Sequence, residues 1–206
     1  MSRLASLRDG VDELDRSGRA IRYRLILATD DLEDITELLH EAYAPLAEAG
    51  MRFVASHQDA ATTRKRVSSG VTVVALDRDC VVGIVTVRDP GAKSGSPHYQ
   101  RPDVASFGQL AVRPSHQGRG IGARLLELIE DVAREQGAAE LALDTSEHAA
   151  RLISMYEAKG YRFVEHARWD VVNYRSVVLS KTLVGDAPAL SAPSPGSSLP
   201  APPPRS

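Results

Sequence analysis

Residues 110–122 read Leu-Ala-Val-Arg-Pro-Ser-His-Gln-Gly-Arg-Gly-Ile-Gly, an apolar strand that runs into a glycine-rich turn. A helical pattern over about residues 120–136 follows the turn. Backbone N–H groups at a helix start lack internal partners, and the helix dipole adds partial positive charge there. Glycines at 118, 120 and 122 leave room for a bound group and tolerate positive φ. The stretch therefore predicts an anion site suited to phosphate, to which Arg119 can add charge-assisted hydrogen bonds.

The glycine spacing excludes two better-known phosphate loops. A Walker A loop needs Lys and Ser or Thr after its last glycine, and no Lys follows here. The dinucleotide fingerprint needs Gly-x-Gly-x-x-Gly. Counted from Gly118, the third glycine arrives one residue early, at Gly122; counted from Gly120, the required position is Leu125.

Hydrophobic periodicity on both sides of the turn predicts an α/β (α+β) fold in which helices cover one sheet. Thr29 or Asp30 is expected to cap the first helix, and Pro45 to end it. The predicted strands cover residues 21–27, 71–76, 80–87, 104–112, 140–144, 161–164 and 171–179, and the predicted helices cover about residues 30–45, 59–68, 120–136 and 149–160.

The chain of 206 residues suits one domain. We expect that domain over residues 19–184. Residues 1–18 are charged and form an extension that either becomes a helix or stays loose. Residues 185–206 are rich in proline and serine, which predicts a disordered tail; a proline-rich docking peptide is the alternative.

Composition sets limits on partners and location. The net charge of −2 gives no reason to expect nucleic acid or an anionic membrane as a partner. Charges interrupt the N-terminus, so we expect no secretory signal, and no apolar run approaches a membrane span. The single cysteine, Cys80, fits a reducing cytoplasm and is expected to be buried as a small hydrophobe. We therefore expect a cytoplasmic protein that needs no metal.

Two motifs carry a family resemblance. The string Gln117-x-x-Gly120-x-Gly122 resembles the pyrophosphate loop of the GNAT superfamily of acyl-CoA-dependent N-acyltransferases. Residues 152–161, Leu-Ile-Ser-Met-Tyr-Glu-Ala-Lys-Gly-Tyr, resemble the later Leu-Tyr-Glu-Lys-x-Gly-Phe motif of that family. The resemblance covers about residues 20–183. It implies a central mixed, mostly antiparallel sheet, flanked by helices and splayed at its fourth predicted strand, residues 104–112.

The resemblance also implies site residues. Acetyl-CoA would lie in the splay as co-substrate, and Tyr156 would act as the general acid that protonates the departing thiolate. The alternative is that Tyr156 is an aromatic residue of the core with a structural role. The implied cofactor-binding residues are Leu110, Ala111, Val112, Gln117, Gly118, Arg119, Gly120, Ile121, Gly122 and Ala123.

Two features of the site stay open in the sequence. The general base is unassigned, with Asp144 and His116 as candidates. Relatives often carry Asn seven residues before the tyrosine, where Ala149 stands here. The polar contact to the pantetheine arm would then come from Thr145, Ser146 or Ser154.

The resemblance implies an N-acetyltransferase that acts on a small-molecule or peptide amine. The alternative is an acyl-CoA-binding sensor or regulatory module with weak or no catalysis. Acidic walls would suit a cationic amine, and Glu41, Glu48 and Asp59 are candidates for them. A homodimer is kept open, because dimers are the commonest oligomers.

Overall fold

A computed structural model describes residues 2–92 and 95–183, which build one eight-stranded sheet. The strands are β1 Val11–Leu14, β2 Ala20–Leu25, β3 Val71–Asp77, β4 Cys80–Arg88, β5 Val104–Val112, β6 Glu140–Ser146, β7 Arg162–Arg168 and β8 Arg175–Thr182. The helices are α1 Arg3–Asp9, α2 Leu32–Glu48, α3 Ala60–Val67, α4 Ile121–Glu135 and α5 Ala150–Glu157.

The spatial order of the strands is β1-β2-β3-β4-β5-β6-β8-β7. Among the described strands, the β5–β6 pair is parallel and all the other pairs are antiparallel. The predicted mixed, mostly antiparallel sheet is therefore confirmed.

Alternating side chains of the strands bury two separate cores, because successive residues point to opposite faces. Val73 and Ala75 of β3 pack in the core that includes α4 and Tyr156 of α5. Val74 and Leu76 pack in the core beneath α2 and α3. The sheet is thus the middle layer between two helical layers.

The predicted boundaries of α2 are wrong at both ends. Asp31 caps the helix by accepting from the backbone N–H groups of Glu33 and Asp34. The Asp30 carboxylate instead binds the Arg24 guanidinium and the Leu27 N–H. The helix passes through Pro45, which has no N–H to donate, and its last turn contains a hydrogen bond from Ala49 N to Pro45 O.

The N-terminal segment joins the fold. The helical alternative is confirmed by α1, whereas β1 was not predicted. The Arg124 guanidinium of α4 binds the Glu13 carboxylate of β1, at 2.5 Å. The predicted tail, residues 185–206, lies outside the described residues, as does residue 184.

The expectation of a buried Cys80 is wrong: Cys80 is the first residue of β4, beside a turn, and it is exposed. None of the described helices is long and apolar enough to cross a membrane.

Gly83→Val should lower the free energy of unfolding by about 1–3 kcal/mol through overpacking. A β-carbon at residue 83 would lie 3.0 Å from Leu125 Cδ1 and 3.3 Å from the Ala111 carbonyl oxygen. Gly83→Ala adds one methyl and should cost less, because the end of the Leu125 side chain can shift. Urea denaturation measures both variants. Equal stability of Gly83→Val and the unmodified protein would contradict this close packing of β4 against α4.

Candidate active site

A gap opens in the sheet between two neighbouring strands. Among the described residues, β5 pairs with β6 from Val104 to Ser106 and no further. Beyond Ser106, β5 continues beside β4 to Val112, while β6 continues beside β8 to Ser146. The splay implied at residues 104–112 is therefore present.

A β-bulge reshapes β5 where the gap begins. Gln109 has a φ of 58°, and the pairing with β4 shifts register there. The Gln109 side chain is buried, accepts from Gln58 Nε2 at 3.1 Å and donates to Thr86 Oγ1 at 3.4 Å. Positive φ is uncommon for a residue with a side chain. These buried hydrogen bonds therefore help to hold the bulge in place.

The backbone after the bulge faces the gap at alternate residues. The Leu110 carbonyl accepts from the Tyr43 hydroxyl at 3.3 Å, and the Val112 carbonyl accepts from Gln117 Nε2 at 3.0 Å. Ala111 lies opposite Ile84 of β4 and Val112 opposite Gly83, and because Arg113 N donates to Val82 O at 2.9 Å, alternation in the ladder turns the N–H and C=O of Ala111 toward β4 and those of Val112 away from it. The N–H and C=O of one residue in a strand point to the same side. The N–H groups of Leu110 and Val112 therefore also point into the gap.

The glycine loop closes one end of the gap. Gly120 caps α4 in the left-handed region, at φ 89°, without a side-chain cap. Arg124 N donates the first hydrogen bond of the helix to Gly120 O, so the N–H groups of residues 121–123 point out of the helix end. A cavity of about 790 Å³ lies there. The predicted cofactor-binding residues that border it are Leu110, Ala111, Val112, Gln117, Gly118, Gly120, Ile121, Gly122 and Ala123.

The Arg119 side chain is paired within the fold. Its guanidinium was expected to bind phosphate, but Nε donates to the Asp15 carboxylate at 2.6 Å, and Nη2 lies 3.7 Å from Asp77. The Arg119 carbonyl also accepts from Arg16 N at 3.0 Å. The side chain therefore fastens the turn between β1 and β2 to the loop, and its charge is already paired.

Arg16 is a functional candidate that the sequence did not reveal. Its side chain is exposed and borders the loop cavity. A β-carbon at Gly120 would lie 3.2 Å from Arg16 Nε. The unpredicted β1–β2 pairing brings this charge to the loop, so no local sequence signal pointed to it.

Tyr156 lies where two cavities meet. Its ring packs edge-on against Phe107 and Tyr161, with ring centroids 6.0 and 5.7 Å away. The residue also borders both the loop cavity and a second cavity of about 510 Å³. Burial raises the pKa of the phenol above its ordinary value. Tyr156 can therefore be both a core aromatic and a general acid, because its ring packs in the core and its hydroxyl stays protonated.

The second cavity has aromatic walls and charged side chains. Tyr43, Phe53, Trp169 and Tyr174 supply the rings, whereas Lys65, Arg66, Arg88 and Asp144 supply the charges. The sequence did not single out Arg66 or Arg88, because nothing local distinguishes them from surface arginines. The acidic candidates do not build this wall: Glu41 pairs with Arg113, Glu48 is exposed at the end of α2, and Asp59 caps α3.

The two candidate bases occupy different places. Asp144 borders the second cavity, and its carboxylate accepts from the Tyr99 hydroxyl at 3.0 Å. His116 borders the loop cavity but lies 3.2 Å from the Asp77 carboxylate. Asp144 is therefore the candidate that lies on the side of Tyr156 away from the loop.

The polar side chains offered in place of the missing Asn also lie apart. Thr145 borders the second cavity, with a hydroxyl that has no hydrogen-bond partner among the described residues. Ser146 accepts from His148 N, and Ser154 is exposed. Within residues 2–92 and 95–183, no group of three or more His, Cys, Asp or Glu side chains could hold a metal ion.

Comparison with known sequences agrees with this geometry. The family described as Acetyltransferase (GNAT) family matches residues 32–161. An S-(2-succino)cysteine N-acetyltransferase from Bacillus subtilis (strain 168) is 33% identical over 142 residues, which cover 68% of this chain and 83% of the relative.

Solved structures share the fold. The GNAT domain of S. lividans PAT is 25% identical with a TM-score of 0.62, and the match covers 84% of this chain and 96% of that one. The structure of yncA from Salmonella typhimurium, solved with its cofactor acetyl-CoA, is 17% identical with a TM-score of 0.60. That match covers 81% of this chain and 96% of yncA, and it supports the fold alone.

Arg119→Gln should lower stability at neutral pH, because the Asp15 carboxylate then loses its guanidinium partner. Hydrogen bonds from Ser17, Arg19 N and Arg119 hold the pKa of Asp15 well below its usual range. A carboxyl group with a depressed pKa stabilises the fold above its unfolded pKa, and this contribution is lost as the pH falls. The deficit of the variant should therefore persist near pH 4 and shrink only as the pH falls toward the depressed folded pKa of Asp15.

Urea midpoints measured from pH 7 down to about pH 2 would follow this change. Arg64→Gln, at an exposed position on α3, is the control and should match the unmodified protein. A deficit that does not change with pH would contradict the ion-pair role of Arg119.

Proposed function

We propose that this chain, a member of the GNAT acetyltransferase family and an acyl-CoA-dependent N-acyltransferase, moves an acetyl group from acetyl-CoA to a primary amine. The amine attacks the thioester directly. One observation carries the proposal: Leu110 and Tyr156 border both cavities. A thioester held beside them can be approached from the loop side by the donor and from the other side by the amine.

The loop cavity fits the donor. The N–H groups of residues 121–123 and the Arg16 guanidinium converge on one region, which suits a pyrophosphate. Gly120 keeps that region free of a β-carbon. When bound, acetyl-CoA supplies an activated acetyl thioester.

Backbone donors in the gap stabilise the developing charge. The N–H groups of Leu110 and Val112 are fixed by the strand, so they can donate to a carbonyl oxygen that gains negative charge during attack. Such preorganised donors favour the transition state over the ground state.

Two proton transfers complete the reaction. The amine nitrogen forms a bond to the acetyl carbon while the carbon–sulfur bond breaks, and the Tyr156 hydroxyl protonates the departing sulfur. A lysine-like amine is only about 0.04% neutral at pH 7. The nitrogen therefore has to lose a proton, and we propose that Asp144, which borders the second cavity, receives it directly or through water.

We propose a small molecule as the acceptor. A cavity of about 510 Å³ with aromatic walls suits a small ligand. The Bacillus subtilis relative is named for a cysteine derivative. Release of free thiol from acetyl-CoA, measured across a panel of amines and amino acids, tests the proposal. If CoA binds but no amine accelerates thiol release, the enzyme proposal fails and the sensor alternative is favoured.

Arg16→Gln should weaken CoA binding by about 1 kcal/mol, or about fivefold, because one exposed phosphate contact is lost. Arg19→Gln is the matched control, since Arg19 lies in the same turn but faces Asp77. Calorimetry with CoA measures both variants. Equal affinities of the two variants would remove Arg16 from the donor site.

Tyr156→Phe should lower kcat by about 10- to 100-fold with little change in CoA affinity. The expected loss is modest because a thiol with a pKa near 8.5 is a good leaving group. Tyr161→Phe is the control: it removes a hydroxyl from the same aromatic cluster, but that hydroxyl binds Glu130.

The pH profile offers a second check on Tyr156. Because burial raises the pKa of this phenol, kcat should show no descending limb up to about pH 10. Unchanged turnover in Tyr156→Phe would leave the residue with a packing role alone.

A further inference from the structure

Two arginines from different elements converge on the floor of the second cavity. Arg66 lies on α3 and Arg88 ends β4, and both border that cavity. A β-carbon at Gly108 of β5 would lie 3.6 Å from Arg88 Nη1 and 3.8 Å from Arg66 Nη2. The two guanidiniums therefore meet over one glycine, where an added β-carbon would be in ordinary van der Waals contact with both.

Neither arginine forms an ion pair with another residue in the ranges 2–92 and 95–183. Within the described part of the chain, no carboxylate lies within 4 Å of the Arg66 or the Arg88 guanidinium. Burial lowers the pKa of both groups, and the charge of Arg88 lowers that of Arg66 further. Asp144 acts in the opposite direction on both groups. An arginine nevertheless stays charged in proteins, so two like charges share a partly dry wall at a cost in free energy.

The surrounding residues hold both guanidiniums in position. Arg66 Nη1 donates to Gln58 Oε1 at 2.5 Å, and the buried Gln58 is itself fixed by Thr63 and Gln109. Arg88 Nε donates to Ser69 Oγ at 3.1 Å. A guanidinium has five N–H donors, so most of them remain available to a ligand.

A second polar group borders the same cavity. Thr145 is 2% exposed, and its hydroxyl has no hydrogen-bond partner among the described residues. Buried polar groups are normally satisfied. Its position points to a ligand that completes the hydrogen bonding in this cavity.

We propose that Arg66 and Arg88 form a carboxylate-binding subsite, so that the acceptor is an amine that carries at least one carboxylate, of the amino-acid class. Paired N–H donors of a guanidinium match the two oxygens of a carboxylate. An anion would offset the repulsion between the two arginines, and the aromatic walls would hold the apolar part of the molecule. The identity of the reacting group as an amine rests on the proposed function.

Direct binding tests the subsite without catalysis. The probes are S-(carboxymethyl)cysteine, methionine and methioninamide, which carry two, one and no carboxylates. Each is titrated by calorimetry into the protein saturated with CoA. We expect affinity to fall in that order. Arg66→Gln and Arg88→Gln should each weaken carboxylate binding by about 10- to 100-fold and leave methioninamide unchanged.

Further variants distinguish the loss of a positive charge from a loss of folded structure. Arg66→Lys and Arg88→Lys keep the charge and should restore part of the affinity, whereas Arg64→Gln, exposed on the same helix as Arg66, should have no effect. The subsite is overturned if methioninamide binds as tightly as methionine, if the glutamine variants keep the carboxylate preference, or if none of the three probes binds.

Thiol release with the same probes distinguishes the two proposals. Arginine-dependent binding without thiol release would contradict the proposed transferase reaction but leave the subsite standing. Equal turnover of methioninamide and methionine would contradict the subsite but support acetyl transfer.

Discussion

The separation of β5 from β6 after Ser106 is the constraint on which the rest of the site depends. Each strand keeps its other neighbour, so the sheet stays continuous while one backbone edge is left open. An open edge normally carries a risk of unwanted pairing. Here side chains of Tyr43 and Gln117 satisfy two of its carbonyls, whereas the N–H groups of Leu110 and Val112 face the gap. The same separation leaves room for the two cavities that meet at Tyr156.

One buried polar network links the parts of the site. Gln58 bonds to Gln109, which holds the bulge of β5, and also to Arg66 on the wall of the second cavity. The strand proposed to stabilise the developing charge and the arginine proposed to bind the acceptor therefore share a support. A fully satisfied buried network fixes geometry more firmly than isolated surface contacts do, as group transfer between two bound molecules requires.

Local patterns in the sequence were enough to predict the centre of the fold. The bounds of β5, the helix after Gly120 and the gap followed from glycine spacing, hydrophobic periodicity and family resemblance. The N-terminal strand was missed because its four residues have no distinctive pattern and β2 alone pairs with it. The pairing of Arg119 with Asp15 joins residues far apart in sequence, so the direction of the arginine was not predictable. Arg66 and Arg88 were missed for the same reason, since tertiary packing brings them together.

A crystal structure of the protein with acetyl-CoA would show whether the thioester lies in the gap beside β5. We expect the pyrophosphate against the N–H groups of residues 121–123 and the thioester oxygen within hydrogen-bonding distance of a backbone N–H of Leu110 or Val112. We also expect the sulfur beside the Tyr156 hydroxyl, with the acetyl group open to the cavity that holds Arg66 and Arg88. A thioester bound away from β5, or an acetyl group closed off from that cavity, would contradict the proposed mechanism.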